Sequence, residues 1–141
     1  MTSGQRAYRE LPHTADTAIE VDGESIAGLF ANAAFAMFDL MVDLDALSPV
    51  LERVVAVSAD SVDEVLVALL SELIALSEIE GFVPCRFKAS HASETGVELT
   101  MGVAPAAHAA LRGPPVKAVT YHELLVEELS SGWRAHLVFD V

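Results

Sequence analysis

Two segments of this chain repeat their apolar residues with the period of a helix, and nothing after residue 81 does. That asymmetry constrains the fold more than any other feature. In the first segment Ile26, Leu29, Phe30, Ala33, Ala34, Met37, Leu40 and Met41 recur at i, i+3, i+4 and i+7 spacing. This is one face of a helix of about four turns. Ser25 stands where an N-cap oxygen is needed. In the second segment Ser61 and Glu64 have the spacing of a capping box, and Val65, Leu66, Leu69, Leu70, Leu73 and Ile74 continue as an apolar helix face. Gly81 supplies a stop, because a helix often ends on a left-handed residue.

The remaining pattern has a period of two. Val97, Leu99, Met101 and Val103 alternate with Glu98, Thr100 and Gly102. Trp133, Ala135, Leu137, Phe139 and Val141 alternate with Arg134, His136, Val138 and Asp140. Residues 7–11, 17–21, 51–58, 82–90 and 117–127 are further strand candidates, and Asp22-Gly23 is a turn dipeptide. The stretch from Ala104 to Pro115 holds three prolines and Gly113 and is expected to be an exposed loop. Helices followed by a run of strands do not make the alternating pattern of a parallel sheet. They predict a two-layer α+β fold, with both helices packed on one face of a mixed or antiparallel sheet. No linker, repeat or low-complexity tract divides residues 1–141, so one domain is expected.

Eight Lys and Arg stand against 21 Asp and Glu, a net charge of −13. Such a surface repels phosphate backbones, so direct nucleic-acid binding is not expected. It attracts a basic protein partner or divalent cations; solubility alone also accounts for it. The single cysteine, Cys85, excludes an internal disulfide and sits among apolar residues, as a buried inert thiol would. No apolar stretch is long enough to cross a bilayer and no signal peptide is visible. A cytoplasmic location with no membrane contact is therefore expected.

Catalytic signatures are absent. There is no Gly-rich phosphate loop, no Gly-x-Ser-x-Gly elbow and no Cys–His zinc spacing, and no two of the five histidines are at helical spacing. Carboxylates remain. Asp16 lies in the turn between the first two strand candidates. Asp43 follows the first helix, where the helix dipole disfavours a negative charge unless a cation or hydrogen bond offsets it. Asp140 points to the face opposite Phe139, and an oxygen of Val141 follows it. Hard ions such as Ca²⁺ and Mg²⁺ take oxygen ligands of this kind. With 21 acidic residues, most carboxylates here are simply solvated.

An ordered set of fragments gives these residues a context. His13-Thr14-Ala15-Asp16 comes first, before Ile19-Glu20-Val21-Asp22-Gly23. Leu29-Phe30-Ala31-Asn32-Ala33-Ala34, Met37 to Asp43 and Leu69 to Ile74 follow. Val116-Lys117-Ala118-Val119-Thr120-Tyr121-His122, Trp133 and Val138-Phe139-Asp140-Val141 close the set. Over nearly the whole chain this resembles the archease family. The resemblance implies a two-layer fold and an accessory protein rather than a free-standing enzyme. It implies as partner the GTP-dependent ligase that joins RNA ends in tRNA splicing and repair. That ligase would be activated by promoting its guanylylation and repeated turnover. It also implies a divalent cation, Ca²⁺ in crystals with Mg²⁺ or Mn²⁺ as alternatives, held by Asp16, Asp140 and Val141, with Asp43 as a neighbour. Lys117 matches a motif position that would touch partner or nucleotide phosphate, or it merely flanks a strand. His13 either takes part in function or orients the turn and hydrogen-bonds Asp16. Two stretches depart from the family: Ser71 to Ser77, where relatives often carry Asn and an aromatic, and the Ala- and Pro-rich stretch from Ala104 to Pro115. Two other functions stay open, a chaperone-like modulator of broader range and an independent metal-dependent hydrolase.

Overall fold

The computed structural model describes residues 7–11 and 16–141; His13 and its neighbours 12–15 lie outside them. The chain runs β1 (Tyr8–Leu11), β2 (Thr17–Gly23), α1 (Ile26–Met41), β3 (Leu51–Ser58), α2 (Val62–Glu80), β4 (Phe82–Ser93), β5 (Gly96–Pro105), β6 (Ala118–Leu129) and β7 (Gly132–Asp140). Short 3-10 turns occupy Leu44–Ala46 and Ala106–His108.

The helix ends follow from local chemistry. Ser25 Oγ accepts the Gly28 N–H at 3.0 Å, and Ser61 Oγ accepts the Glu64 N–H at 3.3 Å, each satisfying a donor that the first helical turn leaves unpaired. The Ser61 hydroxyl also donates to Glu64 Oε1 at 3.1 Å. Gly81 ends α2 at φ 71°, a left-handed conformation without penalty for glycine. Gly23 has a different role. A Cβ there would collide with the Leu29 backbone, so its lack of a side chain lets β2 turn directly into α1.

All strand pairs are antiparallel, as the period-two pattern allowed. The strands divide into two sheets, however, ordered β1-β2-β7-β6 and β3-β5-β4. α1 packs chiefly on β2 and β4 and so joins the two sheets, while α2 packs on β6 and β3. On the smaller sheet Val97, Leu99, Met101 and Val103 face the helices and are buried. On the larger one Ile19, Val21, Ala135, Leu137 and Phe139 do the same. Phe87 of β4 meets Phe35 of α1 edge-on at 6.1 Å, which fixes helix against strand. Each fully buried Leu or Phe contributes about 1.5–3 kcal/mol. Cys85 belongs to this core, fully buried, as its apolar context implied.

Most of the stretch from Ala104 to Pro115 is exposed, as expected, with Leu111 85% exposed. Ala104 is fully buried at the end of β5, and the following segment does not hang free. Leu111 bridges to Val42, Asp43 N–H donates to Ala110 O at 3.0 Å, and Arg112 N–H donates to Met41 O at 2.8 Å. Backbone bonds to the C-terminal end of α1 thus hold the segment down, and Gly113 sits so close to Leu40 O that a Cβ at Gly113 would collide with it.

Candidate functional site

Strand register decides which acidic residues can cooperate. Thr17 of β2 is paired with Phe139 of β7, so Asp16 and Asp140 each follow one step beyond the last pair. On the other side of β7, Ala118 pairs with Asp140, and Lys117 N–H donates to Asp140 O at 2.7 Å. Asp16, Asp140, Val141 and Lys117 therefore share one end of the larger sheet. Phe139 is fully buried, whereas Asp140 and Lys117 are exposed and Asp16 and Val141 are half-buried. Val138, two residues back on the same face, is fully buried, so it is the position of Asp140 at the sheet end that leaves it exposed.

Beside this end lies a cleft of about 290 Å³. β1 and β2 contribute Tyr8, Glu10 and Thr17; α1 contributes Asp39 and Leu40; Arg112, Gly113, Pro114, Val116 and Val141 complete it. Its centre is Asp39, a carboxylate only 1% exposed. Tyr8 Oη donates to Asp39 Oδ2 at 2.6 Å, and Arg112 Nη1 donates to Asp39 Oδ1 at 3.0 Å. The other arm of the same guanidinium reaches Asp43 Oδ1 at 3.3 Å. A buried charge is tolerated only with such partners. Arg112 also answers the unfavourable position of Asp43 beyond the C-terminus of α1, because its positive charge offsets the helix dipole there.

Asp39, Tyr8 and Arg112 were not among the sequence candidates. One signal was available: Asp39 is the only charged residue in the sixteen of α1, a helix with little polar face. A lone carboxylate in such a helix requires a partner from elsewhere. Arg112 could not be foreseen, because the pairing spans 73 positions and depends on the loop's backbone bonds.

Donor chemistry bears on the cation. Among the described residues no three His, Cys, Asp or Glu side chains group closely enough to hold a metal ion. By register the sheet end instead carries Asp16 and Asp140, one position beyond the Thr17–Phe139 pair, followed by Val141. This set does not fit a closed all-protein cage. Oxygens of this kind are what a hard cation takes when water completes its shell. Asp43 is paired with Arg112.

Elsewhere the outer face of the larger sheet carries ion pairs. Arg134 Nε donates to Asp22 Oδ1 at 2.7 Å, and this bond, against the opposing effect of burial, holds the Asp22 carboxyl below the ordinary carboxylate range. Burial pushes the Cys85 thiol up, partly countered by Arg86. Among the described residues no helix is long and apolar enough to cross a membrane.

Comparison with known proteins settles the family. Residues 8–141 match the model described as "Archease protein family (MTH1598/TM1083)". A relative called protein archease, from Methanosarcina mazei, is 32% identical over 148 residues that cover the whole of both chains. Two solved structures share the fold. The solution structure of Methanobacterium thermoautotrophicum protein 1598 has a TM-score of 0.77 at 24% identity, covering 96% of this chain and 99% of its own. The crystal structure from Thermotoga maritima, described as "an archease, possible chaperone", has a TM-score of 0.66 at 22% identity, covering 94% and 96%. By the match of nearly its whole length to the family and to full-length relatives, this chain belongs to the archease family.

Proposed function

We propose that this protein is a metal-binding accessory protein that activates a GTP-dependent RNA-splicing ligase, promoting its guanylylation and repeated turnover. The observation that carries this reading is the register: the strand pairing that ends at Thr17 and Phe139 leaves Asp16 and Asp140 at a common sheet end beside Val141 and Lys117. Asp16 and Asp140 hold the cation, with a main-chain oxygen of Val141. Ca²⁺, Mg²⁺ and Mn²⁺ all suit oxygen ligands of this kind. A divalent cation supplies positive charge to phosphate oxygens. Lys117, exposed at the same end, offers its ammonium to a phosphate of the nucleotide or the partner. His13 belongs to the same motif as Asp16. The net charge of −13 suits contact with a basic protein surface and not with RNA itself.

Guanylylation of a purified GTP-dependent RNA ligase, followed with labelled GTP, tests the reading. The protein is expected to accelerate label incorporation, and Asp16→Ala or Asp140→Ala to abolish the acceleration while leaving thermal unfolding unchanged. Undiminished acceleration by both variants refutes the role of the acidic sheet end. A second reading, a chaperone of broader range, draws on the description of the Thermotoga relative. It is favoured if the protein captures many unrelated proteins and leaves the ligase unaffected.

A further inference from the structure

Asp39 is the one charged residue that is buried among the described residues, 1% exposed, and the role proposed for the acidic sheet end makes no use of it. Stability is a poor reason for a charge there. Packed apolar side chains often replace a buried ion pair without loss, because desolvation of the charges cancels much of their attraction. What a fully bonded buried carboxylate adds is direction: it holds its partners in one arrangement.

The partners of Asp39 come from the two segments that lead into the sheet end. Tyr8, which donates to Oδ2 at 2.6 Å, lies in β1, and the chain runs on from β1 to Asp16. β1 is an edge strand of four residues, so this bond supplements a short pairing with β2. Arg112, which donates to Oδ1 at 3.0 Å, precedes Lys117 in the chain. Its own N–H and that of Gly113 reach Met41 O, and Val116 N–H reaches Met41 Sδ at 3.2 Å. Pro114 and Pro115 stand between, and their rings fix φ, so the place of Arg112 is passed to Val116 and Lys117 with little slack. Lys117 N–H then donates to Asp140 O at 2.7 Å. The cleft around Asp39 is also lined by Thr17, next to Asp16, and by Val141.

We propose that Asp39 is a positioning residue for the cation at the sheet end, an inference that rests on the metal-binding reading of Asp16 and Asp140. Tyr8 and Arg112 each carry its hold to one side of that end. Tyr8 carries it to the strand that precedes Asp16, and Arg112 to the step where Lys117 meets Asp140. Both Asp39 oxygens accept hydrogen bonds, so it acts through these neighbours rather than as a ligand. Removing an outer-shell partner of this kind lowers metal affinity about 10–100-fold.

The test uses the full chain in three forms: wild type, Asp39→Asn, and a triple variant with Asp39→Leu, Arg112→Leu and Tyr8→Phe. The single change keeps the size of the side chain and removes its charge. The triple variant puts apolar packing in place of the ion pair and removes the directed bonds. Each form is titrated with Ca²⁺ by calorimetry at a temperature where circular dichroism shows it fully folded, and metal-free amide shifts are recorded by NMR. Both variants are expected to bind roughly tenfold or more weakly than the wild type, with metal-free shifts moved at Lys117 and Val141. A role in stability alone lowers Tm and leaves the affinity of the folded chain unchanged. Wild-type affinity in either folded variant therefore overturns this inference alone. A wild type that binds no Ca²⁺ overturns the metal-binding reading and this inference with it.

Discussion

Replacing Arg112 with Ala removes the guanidinium from between Asp39 and Asp43. Breaking a fully buried ion pair costs about 3–5 kcal/mol, because the abandoned charge stays desolvated. Asp39 is buried to 1% exposure, but Arg112 is 42% exposed, so truncation opens a path for water to the carboxylate. Tyr8 continues to donate to Asp39 at 2.6 Å. The loss is therefore nearer that of one charged hydrogen bond, about 2 kcal/mol. The arm to Asp43, exposed on both sides, adds at most about 0.5 kcal/mol. For a chain of this size about 2 kcal/mol corresponds to roughly 6–10 °C in Tm. Urea unfolding followed by circular dichroism, with calorimetry for Tm, measures the change. Arg112→Lys should fall between wild type and Ala, because an ammonium keeps the charge without the two-armed geometry. Arg112→Ala within about 0.5 kcal/mol of wild type, or Asp43→Ala as costly as Arg112→Ala, would refute the assignment of Asp39 as the buried anchor.

Gly23→Ala should destabilise the protein by about 1–3 kcal/mol or prevent folding, because the added carbon collides with the Leu29 backbone; urea midpoints measure it. Cys85 should resist a thiol reagent in the native protein and react fully once unfolded, since the thiol is buried and its pKa raised. Asp22 titrates below its unfolded value, so its contribution is present above about pH 4 and is lost as pH falls through the lowered folded pKa. Arg134→Gln should flatten that acid limb of the stability profile, measured by urea unfolding between about pH 2 and 5.

Local signals in the sequence were sufficient for the elements. Ser25, Ser61 and Gly81 mark helix ends by short-range hydrogen bonding, and the change from helical to strand period marks everything after Gly81. Which strands pair is a long-range property. Nothing local in β3 or β7 says that they belong to different sheets, so one sheet was expected where two exist. The loop after Ala104 is exposed, as its Ala and Pro content implies, but its backbone bonds to Met41 and Asp43 are long-range and have no local signal. Asp16, Asp140 and Val141 were legible only through an ordered family motif, and register then brought them to one sheet end. Asp39 was legible in principle as the sole charge of α1, whereas its partner Arg112 depended on tertiary structure.

The cation itself is the most direct point of attack. Calorimetric titration with Ca²⁺ of the wild-type chain, Asp16→Asn and Asp140→Asn, with metal-free Tm recorded for each, separates binding from folding. Saturable binding by the wild type, lost in both variants at unchanged metal-free Tm, is the expected result. Binding as tight in both variants as in the wild type would contradict a cation held between Asp16 and Asp140.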